Sequence, residues 1–392
     1  MFLANPDPTH EPIFMRVLTI FGTRPEAVKM APVIQALAAT PQIESRICVT
    51  AQHRQMLDQV LDLFKIKPDV DLDLMRPNQS PAEMAADIFV HLDPVLAQIR
   101  PDWVLIQGDT TTAMSAALLS FYRRIHIGHV EAGLRTGDKW QPFPEEIHRR
   151  IAGVVADLHF APTRLSRENL LAEGVPDWRI CVTGNTAVDA LQAMARMAPS
   201  GEAQALLEKL GLGSGGPGGR QLILVTAHRR ENLGKPLENI CLALRTLAET
   251  YPDRLQIVWP VHLNPKVREP AYRLLAGVPN ITLLSPLDNL PMVHLMKNAT
   301  LVLTDSGGVQ EEATSLKIPA LVLREKTERP EGVTAGVLKL VGTDPQTILA
   351  EVRNLLENRA AYLAMVNVEN PFGDGHAAER IIKALLEYRE QL

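Results

Sequence analysis

Cysteine is scarce in this chain of 392 residues: Cys48, Cys181 and Cys241 stand far apart and form no C-x-x-C pair. An odd, scattered set excludes a disulfide framework and a zinc ribbon, and reads as free thiols in a reducing compartment. No metal site is expected. Long apolar runs are lacking, so no membrane span is expected. A basic excess is lacking too. The net charge of -5 excludes the broad positive field of a nucleic-acid binder. No repeat of fixed short period is present, which excludes a solenoid. Residues 1–14 have neither the basic start nor the apolar stretch of a signal peptide. With three prolines they are expected to form a disordered tail, and Met15 opens a strand directly after them. The expected address is the cytoplasm.

What is present is ordinary globular composition, 46% hydrophobic and 22% charged, in a chain long enough for two domains. Strand-like runs alternate with helix-like segments throughout, the pattern of parallel α/β units. Strands are expected at 16–21, 47–50, 103–107, 125–130, 158–161 and 180–183. The second half repeats the pattern at 221–226, 256–260, 281–284, 301–304, 320–323 and 337–341. The reading is two doubly wound Rossmann-like domains, residues 15–187 and 188–374, with the active site in the cleft between them. The last helix, within 375–392, is expected to pack back on the first domain. Gly211 to Gly216 matches G-x-G-x-x-G. It precedes a strand, where a dinucleotide fingerprint must follow one, so it reads as a surface loop.

The stretch Leu301 to Glu312, LVLTDSGGVQEE, organises the rest. A strand feeds a helix through Ser306-Gly307-Gly308, leaving amide donors at a helix N-terminus that suit a phosphate or diphosphate. One turn further on, Glu312 is placed to take ribose hydroxyls. A plain tight turn is the alternative. Other loops at strand ends carry chemistry of their own. Arg24 and Lys29 flank the turn after the first strand and suit an anion, or else are solvated cations. Asp109 follows the third strand and is either a reactive carboxylate or a helix N-cap. Glu131 ends the fourth strand. Glu145 enters a helix after a Trp-Pro-Phe-Pro loop, where it also suits the helix dipole. His228 is flanked by Arg229 and Arg230 at a strand end. Ligands in open α/β sheets gather at such edges.

Together these motifs carry a resemblance. FGTRPE at 21–26, GDTTT at 108–112, HVEAGLRT at 129–136, PEE at 144–146, HRRE at 228–231, TDSGG with EE at 304–312, and TERPE at 327–331 occur in one chain and in that order. The sequence resembles the bacterial non-hydrolysing UDP-N-acetylglucosamine 2-epimerases from Met15 onward. The resemblance implies a GT-B fold, a homodimer, UDP-GlcNAc and UDP-ManNAc as partners, and a role in supplying ManNAc for surface polysaccharides. Residue by residue it marks Asp109, Glu131, Glu145 and His228 as the catalytic set. It marks Arg24, Lys29, Met292, Ser306, Gly307, Gly308, Glu312 and Arg329 as substrate-binding. Met292 stands where relatives often carry an aromatic residue near the uracil. Gln52, His53 and Gln55 match a regulatory region at which substrate activates some relatives; a plain helix start is the alternative.

The chemistry explains these residue types. The sugar's C2 proton has no adjacent carbonyl to acidify it. Oxidation would need a nicotinamide site, which the sequence does not show, so no cofactor is expected. Expelling UDP from C1 acidifies the proton, and a base then gives a glycal to which UDP returns. Three other readings share parts of this pattern: a hydrolysing epimerase releasing ManNAc and UDP, a GT-B glycosyltransferase, and a UDP-sugar sensor without catalysis.

Overall fold

A computed structural model describes residues 15–50, 54–76, 79–211 and 220–390. The expected N-terminal tail, Gln52, His53, the side chain of Gln55, and most of the glycine-rich 211–219 loop lie outside the described residues. The chain divides into two compact units: residues up to Ala190 together with those from Gly375, and Leu191–Asp374.

The first unit is built on seven parallel strands: β1 (Met15–Phe21), β2 (Ile43–Val49), β3 (Val70–Asp71), β4 (Trp103–Gln107), β5 (His126–Val130), β6 (Leu158–Ala161) and β7 (Ile180–Val182). Their order is β3-β2-β1-β4-β5-β6-β7. Its helices are α1 (Arg24–Ala38), α2 (Arg54–Phe64), α3 (Pro81–Ile99), α4 (Thr111–Tyr122), α5 (Glu145–Val155) and α6 (Arg164–Ala172). Then α7 (Thr186–Arg196) crosses the division between the units, which falls at Ala190. The second unit follows with α8 (Gly201–Lys209) and six parallel strands: β8 (Gln221–Thr226), β9 (Leu255–Pro260), β10 (Ile281–Leu284), β11 (Leu301–Thr304), β12 (Ala320–Val322) and β13 (Leu338–Leu340). Their order is β10-β9-β8-β11-β12-β13. Around them lie α9 (Lys235–Thr250), α10 (Pro265–Leu275), α11 (Asn289–Lys297), α12 (Gly307–Ser315), α13 (Pro330–Ala335), α14 (Pro345–Glu357) and α15 (Arg359–Val366). The last helix, α16 (Ala377–Glu390), belongs to the first unit and packs against α1.

Both sheets are covered on their faces, so their central strands are continuous apolar runs rather than alternating ones. Leu18, Ile20, Val104 and Ile106 pack with Ile88 and Leu92 of α3 in the first core. Ile223, Val225, Trp259 and Leu303 pack with Ile240 and Leu244 of α9 in the second. Cys48, Cys181 and Cys241 are free thiols. Burial pushes Cys48 and Cys241 up to about 12, so neither is a nucleophile near neutrality. Among the described residues no helix is long and apolar enough to cross a membrane.

Each sheet reverses its strand order once, between β1 and β4 in the first unit and between β8 and β11 in the second. In open α/β sheets the crevice outside such a switch point receives the ligand. The loops after these four strands are the ones the sequence marks, starting at Gly22, Gly108, Ala227 and Asp305.

Candidate functional site

In the first unit, chain entry into α1 is tightly specified. Thr23 caps the helix, Pro25 occupies its first turn, and Glu26 completes a capping box. Glu26 accepts from the Gly22 N–H at 3.1 Å, the Thr23 N–H at 2.7 Å and the Thr110 hydroxyl at 2.7 Å. It thereby ties the β1 loop to the β4 loop. Burial raises its pKa, against the pull of those donors. Gly22 is required by space: a Cβ there would lie 2.1 Å from Thr50 Oγ1 and 2.6 Å from Thr112 Oγ1.

Glu131 is the centre of this unit's polar cluster. Its backbone is left-handed, φ 64°, which is unusual for a residue with a side chain. Lys29 Nζ donates to both carboxylate oxygens at 2.6 and 2.7 Å. Gln107 Nε2 donates at 2.6 Å and Asn185 Nδ2 at 3.3 Å. The side chain is only 8% exposed, so these donors replace water around the charge. Lys29, expected to face an anion, is therefore engaged by Glu131 within its own unit.

Asp109 is held differently. Thr110, not Asp109, caps α4, accepting from Ala113 N–H at 3.0 Å. The Asp109 carboxylate instead receives Arg149 of α5, Nε at 2.8 Å and Nη2 at 2.6 Å. His148 Nδ1 donates to the Asp109 carbonyl at 2.9 Å. One residue earlier, Gly108 is left-handed and its carbonyl accepts from His129 Nε2 at 2.7 Å. Burial draws His129 down to about 4, so the imidazole is neutral. Glu145 is the first residue of α5, and its Oε2 is buried without a protein hydrogen-bond partner. Its neighbour Glu146 is fully buried. Burial pushes Glu146 up, but the N–H groups of Thr136 and Gly137, with Arg149, outweigh it and hold the carboxyl below its ordinary value. Arg24 is the first residue of α1, beside Thr23.

In the second unit the anchor is Asp305, fully buried after β11. Its Oδ2 accepts from His228 N–H at 2.8 Å, Arg229 N–H at 2.9 Å and Asn232 Nδ2 at 3.0 Å. Asp305 thus fastens the β8 loop to the β11 loop. His228 Nδ1 faces its other oxygen at 3.5 Å, and the His228 ring stacks on His262 with centroids 5.4 Å apart. Burial lowers the His228 pKa, opposed by Asp305 and reinforced by His262 and Arg229. Asp305 closes the strand, and Ser306 precedes α12 without any side-chain cap bond. The first-turn amides of α12 have no intrahelical partner, and Gly307 and Gly308 cover them with no side chain. A Cβ on Gly307 would sit 3.8 Å from the Arg329 guanidinium carbon. Arg329 pairs with Glu311. Glu312 is pushed up to about 7 by burial and by the adjacent Glu311. Met292 lies part-exposed on α11. Arg324 bridges Glu231 at 2.8 Å and Glu328 at 2.7 Å, bracing the loops on either side. Among the described residues no cluster of histidine, cysteine and carboxylates could hold a metal ion.

The structure thus gathers Lys29, Asp109 and Glu131 in one unit, and His228, Ser306–Gly308, Glu312 and Arg329 in the other. Sequence reasoning did not single out their partners: Gln107, Asn185, Arg149, Glu26 and Asp305. Position offered a signal for two of them, since Gln107 ends a marked strand and Asp305 opens the marked turn.

Known proteins resemble this chain along most of its length. The profile of the family described as UDP-N-acetylglucosamine 2-epimerase matches residues 35–386. A protein of that name from Escherichia coli (strain K12) is 52% identical over 381 residues, covering 96% of this chain and 100% of the relative. One from Bacillus subtilis (strain 168) is 49% identical, covering 95% of each. The crystal structure of the UDP-GlcNAc 2-epimerase of Neisseria meningitidis, bound to UDP-GlcNAc, superposes with a TM-score of 0.82 at 48% identity, covering 95% of this chain and 100% of that one. The two parallel-sheet Rossmann-like units are those of the GT-B fold that these neighbours share. With the profile spanning most of its length and relatives half identical from end to end, the chain belongs to the UDP-N-acetylglucosamine 2-epimerase family.

Proposed function

We propose that this chain inverts C2 of UDP-GlcNAc to give UDP-ManNAc, reversibly and without net hydrolysis, by eliminating UDP to a glycal and adding it back. The observation that carries the reading is the Asp305-anchored turn. It presents the bare amide edge of α12 beside Arg329, with His228 tied to the same aspartate. Such an edge stabilises a departing diphosphate, the charge that grows as the C1–O bond breaks. His228 is largely neutral near pH 7 in the ligand-free chain, because burial lowers its pKa. An arriving diphosphate favours its protonation, and the imidazolium then donates to the leaving oxygen.

Proton transfer at C2 falls to the carboxylates of the first unit. Glu131, saturated by Lys29, Gln107 and Asn185, is suited to holding the sugar and countering charge. Asp109 and Glu145 are the better proton carriers, since Arg149 meets only Oδ2 of Asp109 and Glu145 keeps a buried oxygen without a protein donor. Arg24 supports the phosphates, Glu312 the ribose and Met292 the uracil. In this reading the enzyme is a cytoplasmic homodimer needing no cofactor, it feeds ManNAc to surface polysaccharide synthesis, and substrate acts at the Gln52–Gln55 region as an activator.

An NMR time course with UDP-GlcNAc in heavy water, without nicotinamide, tests the function. UDP-ManNAc carrying solvent deuterium at C2 is expected. Accumulation of free ManNAc and UDP would instead identify the hydrolysing reaction, transfer to an added acceptor a glycosyltransferase, and tight binding without exchange a sensor.

A further inference from the structure

Asp109 is fixed at its backbone and its side chain by residues that have no assigned role. The preceding carbonyl, Gly108, accepts from the buried neutral His129 at 2.7 Å. Its own carbonyl accepts from His148 Nδ1 at 2.9 Å. Its carboxylate takes two contacts from one guanidinium, Arg149 Nε at 2.8 Å and Nη2 at 2.6 Å. That guanidinium has a second anchor: Arg149 Nη1 reaches Glu146, which is fully buried and also holds the Thr136 and Gly137 N–H groups. Arg149 is 13% exposed, so its contact is shielded from water and from salt. Both contacts converge on one oxygen, Oδ2, so a guanidinium fork held from its other side by a buried acid pins that oxygen in place.

The helix that supplies the fork begins with Glu145. His148 and Arg149 lie three and four residues later, one turn along the same α5. One rigid element therefore presents one candidate proton carrier and clamps the other.

We propose that Arg149 is a positioning residue for the epimerisation. It sets the direction of the Asp109 carboxylate relative to Glu145, and Glu146 in turn sets Arg149. This rests on the function proposed above, with Asp109 among the groups that meet the sugar. Arg149 itself touches no substrate atom, so its loss acts on turnover through Asp109 and leaves UDP binding nearly unchanged.

The test is a set of four proteins: the natural chain, Arg149→Ala, Asp109→Asn and the double variant. Their C2 exchange is followed by NMR with UDP-GlcNAc, with UDP affinity measured alongside by calorimetry. Arg149→Ala is expected to lower kcat by about 10²-fold, within the range of a misdirected acid–base group, with KM little changed. Added ethylguanidinium should restore at least about tenfold of that loss by refilling the fork. The double variant should be no slower than Asp109→Asn alone, because the two act as one unit. No rescue in a folded Arg149→Ala protein, or losses that multiply in the double variant, would overturn the proposal. Should Arg149→Ala fail to fold, Arg149→Lys decides. It keeps the cation and loses the fork, so kcat should fall at least about tenfold, and a rate equal to the natural chain would refute the role. Thermal melts over the Lys and Asn variants read the coupling of the pair without turnover. A chain that leaves UDP-GlcNAc unchanged therefore sinks the proposed function, while non-additive melts still establish the pair and additive melts overturn it.

Discussion

The two units use charge in opposite ways at the same place in the fold. Both gather their loops at a strand-order switch. In the first unit three carboxylates are matched to cations: Glu131 to Lys29, Asp109 to Arg149, Glu146 to Arg149 and Arg150. In the second unit the key acid, Asp305, is spent on backbone and amide donors and so builds a loop. What it builds is an amide edge, with Arg329 beside it. Acids held in fixed directions suit proton transfer, and donors held in fixed directions suit a diphosphate. Under the proposed function the units divide the labour, proton transfer falling mainly to the first and nucleotide binding mainly to the second.

The largest expected effect comes from Glu145→Gln, which should lower kcat by about 10²- to 10⁴-fold while UDP affinity stays nearly the same. A matching loss of UDP affinity, measured by calorimetry, would break the division. Arg329→Met should do the reverse and weaken UDP binding by roughly 10- to 100-fold, the cost of a charged hydrogen-bonding group. Turnover at saturating substrate should fall far less.

A smaller effect is expected from pH. Burial and Glu311 push Glu312 up to about 7 in the free chain, and under the proposed function ribose hydroxyls bind its ionised form. UDP affinity should therefore rise as pH rises through 7, by up to about tenfold per unit below that value, and Glu312→Gln should flatten the profile. Folding stability runs the other way. A carboxyl raised in the folded chain adds stability below its unfolded value of 4.5 and loses it as pH climbs through about 7. Glu312→Gln should thus melt above the natural chain at pH 8, with no such gain at pH 4. The smallest effect belongs to Thr23→Ala, which removes the α1 cap and should cost about 1 kcal/mol in denaturant melts.

Much of the fold was legible because buried parallel strands are apolar runs ended by turn residues. The limits of β4, β6, β8, β10 and β11 coincide with those read from sequence. Failures have physical causes. β3 is two residues long and exists only by pairing with Cys48 and Val49, which no local pattern reveals. β2 begins at Ile43, four residues before the expected start, because ladder bonds to β1 carry the strand through Glu44-Ser45-Arg46, which interrupts the apolar run. α12 starts at Gly307, although glycine reads as a breaker. At the candidate site the residue types were legible and their pairing was not. Gln107 and Glu131 are 24 residues apart, Arg149 and Asp109 40, and Asp305 and His228 77. A turn or a cap is written locally, whereas these contacts arise only when the sheet brings strand ends together.

The central claim is that the C1–O bond breaks before the C2 hydrogen is lost to solvent. Positional isotope exchange tests it directly, using UDP-GlcNAc with oxygen-18 in the bridge between C1 and phosphorus. Scrambling of the label into the non-bridging phosphate positions, at least as fast as C2 exchange with solvent, is the expected result. Inversion at C2 with the label still wholly in the bridge would contradict it.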